Sequence, residues 1–219
     1  MELLEFDIGH FHDSIVALGT FWWMIWNAAL ALIPVILSFF FFKRAEQPRP
    51  IIRDLTFFFE IVFVLLFLPN APYIATDLVH FLETVRTGDV SLWKLLGTQL
   101  PIYVIFVLFG LTCYSFTVDR VVYAIRMRLG RSSALVALFV IPLLCSIGVY
   151  LGRVARYNSW DILVDPTGVI QSSTTVLDQS KIAKVLISMW FGLIVIHQVY
   201  RTFHDGVRTR MAAYRAALD

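Results

Sequence analysis

Five apolar runs, each about as long as the hydrocarbon core of a bilayer is thick, constrain this chain more than anything else in it. They fall at roughly 21–42, 51–69, 97–118, 134–152 and 182–203. About 20 consecutive apolar residues wound as an α-helix span ~30 Å of hydrocarbon. In lipid the backbone has no water to bond, so a run of this kind must satisfy its N–H and C=O groups internally. The expected fold is therefore all-α: a polytopic membrane helix bundle of about five transmembrane helices, read as one integral membrane domain over residues 1–219. The first run has an apolar lead-in from Ile15, so its helix can be longer, tilted, or preceded by an interfacial piece.

Composition agrees with that class. Hydrophobic residues make up 58% and charged residues 16%, where soluble domains carry nearer a quarter charged. The beginning, Met1 to Asp7, is acidic, whereas a cleavable signal peptide begins basic, so the first helix is expected to remain as a span. Lys and Arg set the orientation. Twelve of the eighteen lie on one set of connections: Lys43, Arg44, Arg49, Arg53, Arg120, Arg126, Arg128, Arg131, Arg201, Arg208, Arg210 and Arg215. Arg86, Lys94, Arg153, Arg156, Lys181 and Lys184 lie on the other. The N-terminus is thus expected outside and the C-terminus in the cytoplasm, with the protein in a bacterial cytoplasmic membrane. The basic clusters suit topology and anionic lipid rather than nucleic acid. Cys113 and Cys145 fall inside predicted spans and read as small packing residues.

Two polar segments follow apolar runs on the same, outer side. The first is Leu68–His80. Pro69 and Pro72 are expected to interrupt the helix, because each lacks an N–H and biases its predecessor toward extended geometry. Pro72 suits the first turn of a new helix, with Asn70 or Ala71 at its cap. A helix from Tyr73 to Val85 places Tyr73, Asp77 and His80 on one face, opposite Ile74, Leu78, Phe81, Leu82 and Val85, and is expected to lie at the outer interface. Its polar face is either simply solvated or functional. Asp and His one turn apart can ligate a divalent metal, or act as a base with its orienting partner.

The second segment is Gly152–Asp161. Arg153 and Arg156 share a helix face on the side that topology depletes of arginine. Their planar forks suit carboxylate or phosphate. They either snorkel to lipid head groups, with Tyr157 and Trp160 in the aromatic belt, or pair internally with Asp77 or Asp161. Asn158 belongs to the same cluster. Beyond it, Asp165–Gly168 reads as a turn, and Ser172–Asp178 as a loop.

Within the membrane, Glu60 in the second run and His197 in the fifth lie at similar depth by helical rise, and form a candidate polar pair. A protonated Glu60 bonded across helices and a proton relay are the two readings of that pair. Asn27, in the outer part of the first run, reaches toward the outer cluster or serves as interhelical glue.

The motifs together resemble the domain-of-unknown-function 1361 family, a bacterial family of uncharacterised multi-pass membrane proteins. The resemblance rests on Pro69-Asn70-Ala71-Pro72-Tyr73, Thr76-Asp77-Leu78 with His80, Gly152-Arg153, Arg156 and Asn158-Ser159-Trp160-Asp161. Trp26-Asn27 followed by Ile33-Pro34 is similar to the family's early helix. The resemblance implies one shared outer site and brings no activity with it.

Three functions compete. The first is a membrane-embedded hydrolase or transferase acting on a lipid or envelope precursor. It uses Asp77, His80 and Asp161 as catalytic groups, with Asp77 and His80 as metal ligands, and Asn70, Tyr73, Arg153, Arg156 and Asn158 as the substrate-binding set. The second is a small proton-coupled transporter or channel lined by Glu60 and His197. The third is a non-catalytic assembly or binding protein, with membrane lipid, a second copy or another membrane protein as its partner. No phosphate-cradling glycine loop, nucleophile elbow or His-Glu-x-x-His pattern is present.

Overall fold

The bundle is packed inside out relative to a soluble protein. Large apolar side chains crowd its outer surface: Phe40 is 77% exposed, Phe59 67%, Ile105 67% and Phe191 65%. In water such a surface is untenable; in a bilayer it faces acyl chains. The interior holds instead many small or weakly polar residues, among them Ala31, Ala71, Ser115, Thr117, Ala124, Ala134, Ala137 and Ser146. Lipid offers no hydrophobic gain for helix association, so close backbone approach between small residues supplies the packing.

The computed structural model describes residues 8–42, 52–88, 91–155, 164–165, 167–168 and 180–216. They form α1 (Ile8–Phe42), α2 (Ile52–Phe67), α3 (Asn70–Thr76), α4 (Leu78–Thr87), α5 (Leu92–Lys94), α6 (Leu100–Leu129), α7 (Arg131–Tyr150) and α8 (Ser180–Ala216). Wide π-helical turns join α5 to α6 (Leu95–Gln99) and extend α7 (Leu151–Ala155). Among the described residues there is no strand, and five helical stretches are long and apolar enough to cross a membrane. The protein is a multi-pass membrane-type helix bundle. The Asp165–Gly168 turn forms as expected, with the Thr167 hydroxyl and the Gly168 N–H both donating to Asp165 Oδ1 at 3.0 Å.

Several helices outrun the spans expected for them. α1 has 35 residues and α8 has 37, or about 52 Å and 55 Å at 1.5 Å per residue. The apolar lead-in to the first run is therefore part of one long helix. Pro34 sits buried inside α1 and Pro142 inside α7. Near each, a serine hydroxyl bonds back to a main-chain carbonyl, Ser38 to Val35 at 2.7 Å and Ser146 to Pro142 at 2.9 Å. Such side-chain bonding within the chain's own turns is how helices in lipid tolerate proline.

The segment α2–α3–α4 runs antiparallel beside α6. The Arg128 guanidinium lies 5.9 Å over the Phe57 ring. Ala71 and Ile74 rest on Gly110. Phe81 meets Tyr103 with centroids 5.5 Å apart. At Pro69 the chain tightens rather than turning away. Pro69 keeps helical dihedrals (φ −59, ψ −23), and Ala71 N–H bonds Leu68 O at 3.1 Å before Tyr73 N–H returns to Pro69 O. Pro72 falls in the first turn of α3, where a missing N–H leaves no ladder bond unmade. Asn70 is thus the first helical residue, with Pro69 at the cap position.

A second tight turn, Asp77 N–H to Ile74 O at 3.1 Å and His80 N–H to Asp77 O at 3.0 Å, divides the expected Tyr73–Val85 helix at Asp77. The halves have different surroundings. α3 is enclosed by α1, α6 and α7 rather than lying on an interface, with Ala71, Pro72 and Ile74 buried. α4 sits on the rim, where Phe81 is buried and Leu82 and Val85 are exposed.

Candidate functional site

Two glycines let α3 sink into the bundle. A Cβ on Gly110 of α6 would stand 2.6 Å from Ala71 O, and one on Gly148 of α7 would stand 2.5 Å from the Pro69 ring. Both approaches are closer than any side chain permits. They fix α3 against two helices and carry Asp77, one turn beyond, to a defined place between α1 and the end of α7.

Asp77 is 2% exposed, and three segments converge on it. Arg153, in the π-helical turn after α7, gives it an ion pair from Nη2 to Oδ1. Asn27 of α1 donates from Nδ2 to Oδ2 at 3.3 Å. Arg153 Nε also donates to the Thr76 hydroxyl at 2.9 Å, and that hydroxyl donates in turn to Tyr73 O at 2.6 Å. The guanidinium carbon lies 4.5 Å over the Tyr73 ring, a cation–π placement. A buried carboxylate is tolerable only when paired and hydrogen-bonded. Here one oxygen faces the cation and the other the amide.

His80 does not bond the carboxylate. It is exposed, its ring lies 5.6 Å from Trp23, and its charge is within electrostatic reach of Asp77. Trp23 in turn packs edge-on against Phe106 at 5.9 Å. Of the expected outer cluster, the structure therefore brings Tyr73, Asp77 and Arg153 together, recruits Asn27 and Thr76, and leaves His80 one turn away on the rim. Asn70 is half-buried at the start of α3. Arg156, Asn158 and Asp161 lie outside the described residues. Among the described residues no group of three or more His, Cys, Asp or Glu side chains is arranged to hold a metal ion.

The pair lies at a definite depth. From Arg131, where α7 begins, to Arg153 the helical rise amounts to about 33 Å, close to the ~30 Å of a hydrocarbon core. Asp77–Arg153 thus stands near one boundary of the apolar layer, and the start of α7 near the other.

Of the second expected feature, Glu60 stands on α2 and His197 on α8. α2 packs on α1 and α7, and α8 on α7 and α6. The carboxylate beside His197 is that of Asp119 on α6, with Nε2 3.6 Å from Oδ1. Asp119 also meets Arg201 Nε at 3.4 Å. Sequence reasoning passed over Asp119 and Arg201. The third run ends at Val118 by apolarity, so Asp119 counted as connection, whereas the helix continues to Leu129. The available signal was spacing: Asp119 lies five residues after Tyr114, and Arg201 one turn after His197.

The family described as "Protein of unknown function (DUF1361)" matches residues 26–196, most of the chain, and the chain belongs to that family. No curated protein and no solved structure matches it.

Proposed function

We propose that this member of the DUF1361 family presents, on the extracytoplasmic side of its membrane, a recognition site for an anionic lipid or envelope-precursor head group, centred on Arg153. The observation that carries this reading is the asymmetry of the Asp77–Arg153 pair. Asp77 is sealed at 2% exposure while Arg153 keeps 32%. The guanidinium is held on three sides, by Asp77, by the Thr76 hydroxyl and by the Tyr73 ring. A cation fixed in that way at the edge of the apolar layer is preorganised for a phosphate or carboxylate approaching from the interface, because its side-chain ordering is already complete.

In this reading Asp77 is the group that holds Arg153 in place, since both of its oxygens already accept from donors. Hydrolysis or transfer at the bound head group is the wider reading. It is supported by His80, an exposed titratable group one turn from Asp77, as the residue to handle a proton. Arg156, Asn158 and Asp161 follow Arg153 directly in sequence and are the further groups such chemistry would draw on.

The test is binding by detergent-solubilised protein, read from tryptophan fluorescence because Trp23 borders His80. The probes are phosphatidylglycerol, a polyprenyl phosphate, and inorganic phosphate alone. Saturable binding of either lipid, weakened about tenfold or more in Arg153→Met, is the expected result. Inorganic phosphate separates a site for the phosphate group alone from one that also needs the lipid. Equal affinity of wild type and Arg153→Met for all three probes removes the proposal.

A further inference from the structure

A second polar cluster lies deep between α6 and α8, far along α6 from the Asp77–Arg153 site. Gly110, on which α3 rests, and Asp119 are about 14 Å apart along that helix. His197 is 4% exposed, and among the described residues neither of its ring nitrogens has a hydrogen-bond partner. Tyr114 and Ser115 are fully buried on α6, and among the described residues the hydroxyl of each is also without a hydrogen-bond partner. The Tyr114 and His197 rings meet edge-on with centroids 6.5 Å apart. Buried polar atoms left without hydrogen bonds among the described residues, on His197 and on the Tyr114 it packs against, are costly to keep inside an apolar bundle. An apolar core would be more stable, so the cluster points to a use.

We propose that His197 and Asp119 form a proton-binding site between α6 and α8, entered from the face of the bundle where α7 begins. Asp119 is the entrance, with its side chain 36% exposed. His197 Nε2 stands 3.6 Å from Asp119 Oδ1, just beyond hydrogen-bond length. A proton taken from water at that face and placed on Nε2 converts the nitrogen from acceptor to donor. A small movement then closes an N–H to carboxylate bond. One proton is gained as a new N–H bond on Nε2, no other covalent bond forms or breaks, and the cluster's charge rises by one.

Arg201 Nε contacts the same oxygen, Oδ1, at 3.4 Å. Protonated His197 and Arg201 therefore compete for one acceptor, and proton binding loosens Arg201 from α6. The titratable and charged neighbours belong to three helices. Tyr114 and Cys113 come from α6, Tyr200, Arg201, His204 and Asp205 from α8, and Cys145 from α7 beside Tyr114. Of these, Arg201 is the cation 3.4 Å from Asp119, the carboxylate that stands 3.6 Å from His197.

The experiment is a pH titration of the detergent-solubilised full chain labelled with 15N-histidine, followed by NMR. The chain has five histidines, and a His197→Gln spectrum assigns the signal. Wild-type His197 is expected to titrate reversibly. Asp119→Asn is expected to lower its midpoint by about one pH unit or more, because an opposite charge ~4–6 Å away favours the charged form by that much. Arg201→Gln is expected to raise it. A His197 signal that stays neutral throughout the range in which the protein is folded overturns the proposal, as does a midpoint unchanged in both variants. If Asp119→Asn does not fold, Arg201→Gln alone decides: an upward shift supports the site and no shift overturns it.

Discussion

Removing Arg153 should harm this protein more than removing the charge of Asp77, although each change breaks the same ion pair. In Arg153→Met the carboxylate of Asp77 stays at a site 2% exposed and, among the described residues, keeps the 3.3 Å bond from Asn27 alone. Stranding one partner of a buried pair costs about 3–5 kcal/mol. The lower end applies here, because Arg153 is 32% exposed at the edge of the apolar layer, next to interfacial water. We expect a loss of about 3 kcal/mol. In Asp77→Asn the guanidinium can turn toward that water, and the loss is one charge-assisted hydrogen bond, about 1.5–2 kcal/mol. The double variant Asp77→Asn with Arg153→Met leaves neither charge stranded. It should be more stable than Arg153→Met alone, with a coupling energy of about 2 kcal/mol. The assay is unfolding of the detergent-solubilised protein by titration with SDS, followed by circular dichroism. The reasoning is refuted if Asp77→Asn is as damaging as Arg153→Met, or if the double variant is no more stable than the sum of the singles predicts.

Other consequences are as direct. Gly110→Ala drives a Cβ to 2.6 Å from Ala71 O, and should cost about 1–3 kcal/mol in the same unfolding assay. Gly192→Ala has no atom within 4 Å of its new carbon, and should leave stability unchanged or raise it by a few tenths of a kcal/mol through helix propensity. Trp190→Phe removes the 2.8 Å bond from the indole N–H to Phe139 O. It should destabilise by about 1 kcal/mol, measured alongside an apolar control such as Phe191→Leu. For orientation, Thr87→Cys and Ser132→Cys place thiols on exposed residues at opposite ends of the bundle, while the native Cys113 and Cys145 are buried. With the N-terminus outside, a membrane-impermeant maleimide applied to intact cells should label Thr87→Cys and spare Ser132→Cys; the reverse pattern inverts the topology.

Much of the architecture was legible in the chain, because lipid removes most alternatives. A run of apolar residues long enough to span has one way to satisfy its backbone, so five runs became five helical stretches. The outer site was legible in part. Tyr73, Asp77 and Arg153 met because the prolines and the 3.6-residue period place them at neighbouring helix ends. Hydropathy could not show where the helices stop. Asp119 lies just past the third apolar run and Arg201 at the very end of the fifth, yet both stand inside continuous helices, since a helix needs apolar faces only where it meets lipid. Nor could periodicity show that α3 would be buried. That depends on Gly110 and Gly148, whose missing side chains act on residues distant in sequence. The partner of a buried ionisable group is equally hard to read, because depth along a span says nothing about which helices are neighbours. His197 meets Asp119 through the pairing of α6 with α8, a property of the packed bundle alone.

The inside-out packing also determines which letters of this sequence carry information. On the outer surface, Phe40, Phe59, Ile105 and Phe191 face the acyl chains, a solvent that does not distinguish one bulky hydrocarbon from another, and they should be free to be exchanged among themselves. The instructions that specify this structure rather than some other five-helix bundle are written in its smallest and least conspicuous residues: Gly110, Gly148, Ala31, Ala71 and Ala124. A substitution scan should therefore look like the negative of a soluble protein's. The large apolar side chains should be silent, and the added methyl groups at glycine and alanine should be the changes the fold registers.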